Sequence, residues 1–345
     1  MNNHNIISID LAKNVFQVCL MNQHQKIVLN KKVARAKLYQ TVIQLDAKHI
    51  VMEACYSSNH WARLFLKDGY DVHLIPPHQV KPFVTGNKND HNDAIAIAEA
   101  SLRPKATRVA VKSFEQQDIQ SLYRIRERLV RHRTAVINQL RGLLAEYGIV
   151  INKKHGGLRS AIPDVLENPN NDLTVSSREF IYDLYLELLD LDKRVEKKQQ
   201  LATALLKNNK SYQHLQSVPG IGPIIAGHLI ASVGDAQQFK NGRQMAAWMG
   251  LTPKQHASGN HSRMGGISKR GNVNMRKHLI HGARTVLNWC ANKDDALSLW
   301  LNKLLTKKHP CVVIVALANK MARIAWAILT KQENYNVQKL LPANA

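Results

Sequence analysis

Cysteine is scarce in this chain: four in 345 residues, Cys19, Cys55, Cys290 and Cys311, with no Cys-x-x-Cys and no Cys/His ligand spacing. That scarcity excludes a disulfide framework and a zinc site, and it fits a reducing cytoplasm. Long apolar runs are missing as well. The N-terminus has neither a basic n-region nor an apolar h-region. The most apolar late run, residues 311–318, is broken by Asn319-Lys320, so no segment is expected to enter a membrane. The most telling shortage is of carboxylates. Residues 236–293 hold ten Lys or Arg and not one Asp or Glu. Over 236–345 the ratio of basic to acidic residues is 17 to 3, against 14 to 8 over 1–110 and 17 to 14 over 111–235, within a net charge of +23. A folded surface normally mixes both signs. A one-signed segment is the footprint of a polyphosphate partner, because Lys and Arg that neutralise phosphates release condensed counterions.

What is present suffices for a buried core in two or three domains, since 45% of the residues are hydrophobic. Residues 5–10, 15–21 and 26–33 read as three short strands before a helical stretch over 35–46. A strand at 49–53, a helix at 58–67, a strand at 71–75 closed by Pro76-Pro77, and a helix at 90–102 follow. Such alternation predicts an α/β domain over 1–110, with a mostly parallel sheet and an antiparallel edge.

From 114 to 147 the pattern is helical, with Leu122, Leu129, Val136 and Leu143 at seven-residue steps. A second helix shows rows Ile181, Leu188, Val195, Ala202 and Leu184, Leu191, Leu205. The segment 148–176 between them carries Gly156-Gly157, Pro163 and Pro169 and reads as a loop. An all-α antiparallel hairpin, a coiled coil over 111–210, is the simplest expectation, with enough apolar surface to join protomers into a homo-oligomer, a dimer or tetramer. Arg124, Arg126, Arg128, Arg131, Arg133 and Arg141 crowd its first helix. They read as a solvated charged face or as a nucleic-acid contact, with Arg124, Arg128 and Arg131 the candidates for contact.

The region 211–345 is expected to be mainly helical. It opens with Val218-Pro219-Gly220-Ile221-Gly222-Pro223 and an apolar run. Two helices joined by such a turn would aim backbone N–H groups at a phosphate, as in helix-hairpin-helix motifs, which makes Gly220 and Gly222 candidate contacts. Packing around a tight turn is the competing explanation. Helical periodicity resumes at 272–290 and 310–329, so the segment around Gln255-His256-Ala257-Ser258-Gly259 is expected to be a loop framed by helices. Ser258 there is a candidate nucleophile, or else a turn residue like Ser268. Arg263, Lys269, Arg270, Arg276 and Lys277 are candidate phosphate contacts.

Four carboxylates form the second constellation. Asp10 closes the first strand, Glu53 closes the strand after the crossover, and Asp90 and Asp93 stand one helical turn apart. With the first strand central, Asp10 and Glu53 point from neighbouring strand ends. Carboxylates so gathered repel one another unless divalent cations lie between them, and paired Mg²⁺ ions (or Mn²⁺) are a standard device for phosphodiester displacement. Each residue alone could equally be a strand-end cap or a helix-start acid.

The ordered set resembles a known family. Asp10-Leu11-Ala12-Lys13, Met52-Glu53-Ala54, Lys88-Asn89-Asp90-x-x-Asp93-Ala94, Pro219-Gly220-Ile221-Gly222, Gly250-Leu251-Thr252-Pro253, Ser258-Gly259 and Ile267-Ser268-Lys269-Arg270-Gly271-Asn272 are similar to the DEDD transposases of the IS one-ten insertion-sequence family. His281-Gly282-Ala283-Arg284 resembles its IS eleven-eleven subgroup, and the likeness runs nearly end to end. The resemblance implies a ribonuclease-H or RuvC-like N-domain with metal ligands at Asp10, Glu53, Asp90 and Asp93. It also implies a C-terminal transposase domain with its nucleophile at Ser258, the two domains together forming the active site. Its partners would be DNA (element ends and target) and a structured guide RNA encoded by the element. It further implies excision as a circular DNA intermediate and work at the nucleoid of a prokaryotic cytoplasm. Many relatives read Ser-Ser-Gly where this chain has Ala257-Ser258-Gly259, and Thr is common at the position of Asn89. The first departure leaves Ser258 as the one hydroxyl available to the motif.

Three rival readings remain. A RuvC-like metal-dependent nuclease of the junction-resolving type would activate water and form no covalent intermediate. A tyrosine recombinase would use Tyr335 with His281 and Arg284. A nucleic-acid chaperone would use the basic surface alone.

Overall fold

The computed structural model describes residues 4–87, 89–103, 108–152, 157–259 and 261–336, and divides into two compact units, Met1–Phe114 and Glu115–Ala345.

In the first unit β1 (Ile6–Asp10), β2 (Val15–Met21) and β3 (Ile27–Ala34) form an antiparallel meander. A 3₁₀ turn (Arg35–Lys37) and α1 (Leu38–Ile43) then carry the chain to β4 (His49–Glu53), which lies parallel to β1. Helix α2 (Ser58–Lys67) leads to β5 (Asp71–Ile75), parallel to β4, and the short α3 (Pro77–Val80) precedes α4 (Asp90–Ser101). The sheet order β3-β2-β1-β4-β5 makes the first strand central, the arrangement in which Asp10 and Glu53 end neighbouring strands. Alternation in β1 sends Ile7 and Ile9 into one core with Phe16, Met52, Trp61 and Phe65. Ile6 faces a second core with Val51, Ala96, Ile97 and Ala100 of α4. The small residues of α4 let it lie close on the sheet. Ser8, fully buried, donates from Oγ to the Ala94 carbonyl at 2.6 Å, and Asn89 caps the helix by accepting from Asn92 N–H at 2.8 Å.

The second unit begins with two long helices, α5 (Phe114–Glu146) and α7 (Val175–Leu206). They pack along Leu129, Val136, Leu140 and Leu144 against Ile181, Leu188, Leu191 and Val195. The first turns of α5 and the last of α7 join a different core through Ile119, Tyr123, Ala202 and Leu206, so the pair is antiparallel. Two expectations shift here. The buried row of α5 runs through Leu140 and Leu144, with Leu143 only half-buried, because a helix of 3.6 residues per turn drifts off a strict seven-residue repeat. The segment expected to be a loop contains α6 (Gly157–Glu167), which closes the far end through Leu158 and Ile162. Arg159 and Arg133 both grip Asp192 at 3.0 Å. Burial pushes that carboxyl's pKa up, but the two hydrogen bonds outweigh burial and hold it below the ordinary range.

Then come α8 (Lys210–Gln216), α9 (Pro223–Val233), α10 (Gly242–Trp248), a hairpin of β6 (Pro253–Ser258) and β7 (His261–Ile267), α11 (Val273–Asn288), α12 (Ala296–Leu305) and α13 (Pro310–Lys331). The hairpin corrects the loop expected around Ser258. Both its faces are in solvent, so the apolar alternation that marks a strand is absent from its sequence. Helix α13 is long and apolar enough to cross a membrane by length and composition. Its Val313, Leu317, Met321, Ala325 and Ile328, however, are buried in the core shared with α9, α10 and α11. All four cysteines are free thiols.

Candidate active site and nucleic-acid interface

Two chemically distinct places stand out, one in each unit. In the first, parallel pairing sets Ile9 beside Met52, so the next residues, Asp10 and Glu53, end adjacent strands. Asp10 follows Ser8, and Glu53 follows Val51, by two residues. Both therefore share the sheet face on which α4 lies. Asp90 and Asp93 occupy the first turn of that helix, where its positive end favours them. Asp90 makes a long, exposed ion pair with Lys32 at 3.9 Å. The Cys55 thiol reports the local charge: burial, then the carboxylates of Glu53 and Asp10, push its pKa up to about 11. Among the described residues no group of three or more His, Cys, Asp or Glu is close enough to share a metal ion. The fold thus joins Asp10 to Glu53 and sets Asp90 and Asp93 on the neighbouring helix turn without closing all four. The donor set, oxygen only and anionic, suits a hard divalent cation such as Mg²⁺ or Mn²⁺. Lys88, part of the same motif, lies outside the described residues.

In the second unit Ser258 is the last residue of β6, at the tip of the hairpin, and pairs with His261. His256 pairs with Arg263, so His256, Ser258, His261 and Arg263 share one face, while Gln255, Ala257, Ser262 and Met264 share the other. The histidines were not singled out by sequence reasoning; their spacing from Ser258 gains meaning only from the register. The base of the hairpin depends on glycine. Gly250 has φ +70 and Gly271 has φ +88. A Cβ on Gly250 would lie 2.1 Å from the Arg270 carbonyl oxygen, and one on Gly271 would lie 1.8 Å from that of Trp248. These two glycines let the entering and leaving chains cross in contact.

The candidate phosphate contacts divide by environment. Arg263, Lys269 and Arg270 are exposed on or beside the hairpin, and Arg124, Arg128 and Arg131 are exposed along α5. Arg276 differs: it is buried, and its Nη1 donates to the Met249 carbonyl at 2.9 Å, so this guanidinium holds α11 to the end of α10. Lys277 is paired with Glu127. Burial pushes the Glu127 carboxyl up, but the Lys277 hydrogen bond and charge hold it below the ordinary range. Sequence showed these charges but not the carbonyl and carboxylate that engage them. The α8–α9 turn also divides. Gly220, φ +84, packs its backbone on α11, where a Cβ on Gly282 would come within 2.2 Å of the Gly220 oxygen. Gly222 is open, precedes α9 without a side-chain cap, and lines a groove of 640 Å³ with His278 and His281. The hydroxyl of Tyr335 is buried, and burial raises its pKa, which disfavours it as a nucleophile.

Comparison with known proteins covers both regions. Residues 7–149, which contain all four carboxylates, match the family model of DEDD transposases, and residues 212–297, which contain the hairpin, match that of the Transposase IS116/IS110/IS902 family. The chain is 45% identical over 330 residues to the transposase for insertion sequence element IS1111A of Coxiella burnetii, covering 96% of this chain and 91% of that one. It is 44% identical to a probable family 20 transposase of Pseudomonas aeruginosa, covering 95% and 98%. A more distant similarity, 21% identity covering 96% and 97%, is to the pilin gene-inverting protein of Moraxella bovis. The chain belongs to the IS110 family of insertion-sequence transposases.

Proposed function

We propose that the protein cuts and rejoins DNA through a transient bond between Ser258 Oγ and a DNA phosphate. In this reading Asp10, Glu53, Asp90 and Asp93 hold Mg²⁺ or Mn²⁺, and an element-encoded structured RNA guides the choice of DNA. The observation that supports the serine reading best is the position of Ser258: at the tip of an exposed hairpin without a carboxylate, with Arg263 on the same face. A hydroxyl there is open to a large polyanion. Arg263, Lys269 and Arg270 supply positive charge for the phosphate oxygens, Arg through its planar fork. A phosphoserine keeps the energy of the cut bond, which strand exchange needs and hydrolysis wastes. The divalent cation, when bound, offsets charge that builds on the phosphate as it is attacked. The pilin gene-inverting relative, named for rearranging DNA, agrees with recombination rather than simple cutting.

The exposed stripe Arg124, Arg128, Arg131 on α5 supports a further polyanion contact, the place we assign to the RNA. Tyr182, Leu186, Leu201 and Leu205, exposed on α7, support assembly of protomers into a dimer or tetramer. The test is to trap labelled DNA from the element's own ends on the protein, with RNA transcribed from the element's flanks, and to sequence the modified peptide. The adduct should map to Ser258. Ser258→Ala should remove both cleavage and adduct, whereas Ser262→Ala and Ser268→Ala should retain the adduct. Cleavage without any adduct would favour a metal-dependent nuclease of the junction-resolving type.

A further inference from the structure

We propose that His261 is the general base that takes the proton from Ser258 during cleavage and the general acid that returns it during rejoining. The proposal rests on the serine reading above and adds a second reacting group to it. The warrant is register. Ser258 and His261 are directly opposite each other in the antiparallel pair, separated in sequence only by Gly259, at φ +54, and Asn260. Side chains so paired share a face with Cβ atoms about 4.5–5.5 Å apart, within reach of a hydroxyl and an imidazole turned toward each other. His256 is on the same face, but it stands two residues along the strand from Ser258, about 7 Å away. Its own cross-strand partner is Arg263. The space over the tip is lined by hairpin residues 255–258 and 261–263. Among the described residues, the titratable or charged groups that face His261 there are His256 and Arg263.

The chemistry needs such a group. A serine hydroxyl attacks efficiently when an adjacent base removes its proton, and imidazole is the side chain that both accepts and releases protons near neutral pH. In cleavage the Oγ–H proton passes to the unprotonated ring nitrogen of His261. The Oγ–P bond forms, the P–O bond to one deoxyribose breaks, and the departing oxygen takes a proton from water. In rejoining, the hydroxyl of the incoming strand attacks phosphorus and loses its proton to water. The P–Oγ bond then breaks, and the imidazolium of His261 reprotonates Oγ. One ring thus serves both directions, as microscopic reversibility requires.

The experiment measures the rate of Ser258 adduct formation against pH for the wild type, His261→Ala, His261→Gln and His256→Ala. It uses labelled DNA from the element's own ends, Mg²⁺, and RNA transcribed from its flanks. Both His261 variants should be slower by about 100-fold or more, with the acid limb of the pH profile flattened, while His256→Ala stays within about threefold. Added imidazole should restore part of the rate to His261→Ala, and all the melting temperatures should agree, because the tip is exposed. A wild-type rate for His261→Ala overturns the proposal. So does a uniform slowing with an unchanged pH profile and no imidazole rescue. Both outcomes leave the serine reading standing, whereas a wild-type protein that forms no Ser258 adduct overturns that reading as well.

Discussion

Asp10 and Glu53 follow Ile9 and Met52, which are fully buried, whereas every residue of β6, and all but the last of β7, is exposed. The carboxylates are thus placed by side-chain packing: strand order, alternation and the α4 face fix where they point. The serine is placed by backbone pairing and by two glycines at the hairpin's base. An isolated two-stranded hairpin is marginal in water. Its order therefore has to come from its anchorage and from whatever it grips. The four acidic candidates thus sit on a rigid part of the fold, while the proposed nucleophile is carried on a part that can adjust to a substrate.

Substitutions can break or sharpen this contrast. The largest effect should come from Asp10→Ala, or from EDTA on the wild type: adduct formation should fall by about 1000-fold, the several kcal/mol that a metal ion contributes to the transition state. Full activity in EDTA would remove the carboxylates from the reaction. Next, Ile9→Ala should destabilise the first unit by about 2–5 kcal/mol in denaturant titration, the usual result of emptying a core position. Gly271→Ala should destabilise the second unit by about 1–3 kcal/mol from backbone strain at positive φ, with more from the clash at the Trp248 carbonyl. Its loss of adduct formation should exceed what that destabilisation explains. The smallest effect should come from Met264→Ala, on the hairpin face away from Ser258, where stability should stay within about 0.5 kcal/mol. A Met264 effect as large as that at Ile9 would mean the hairpin is packed against something, and the contrast would fail.

The first unit was legible almost element by element, because its buried strands are short apolar runs bounded by turn residues and because Pro76-Pro77 ends β5. The carboxylates could be located for the same reason: strand ends are where such patterns stop. The hairpin was hidden, since a strand exposed on both faces writes no alternation into its sequence. With it were hidden the partners of Ser258, because Ser258 and His261 are opposed only through the register. Helix α6 escaped notice amid Gly, Pro and Asn, although Leu158 and Ile162 carry helical spacing and are buried. Arg276 and Lys277 show the limit of charge as a signal. A guanidinium bonded to a carbonyl at 2.9 Å is indistinguishable in sequence from one free for phosphate.

The crossing at Gly250 and Gly271 makes the hairpin a detachable cassette. The chain leaves the helical body and returns at nearly one point, with Lys269 N–H bonded to the Gly250 carbonyl at 3.1 Å. Leu251 and Ile267 stay with the helical core, but residues 253–266 are topologically an insertion, and changing their number alters little beyond a slowly growing loop-closure entropy. An evolving element could therefore lengthen, trim or exchange this exposed tip while the helices beneath keep their packing.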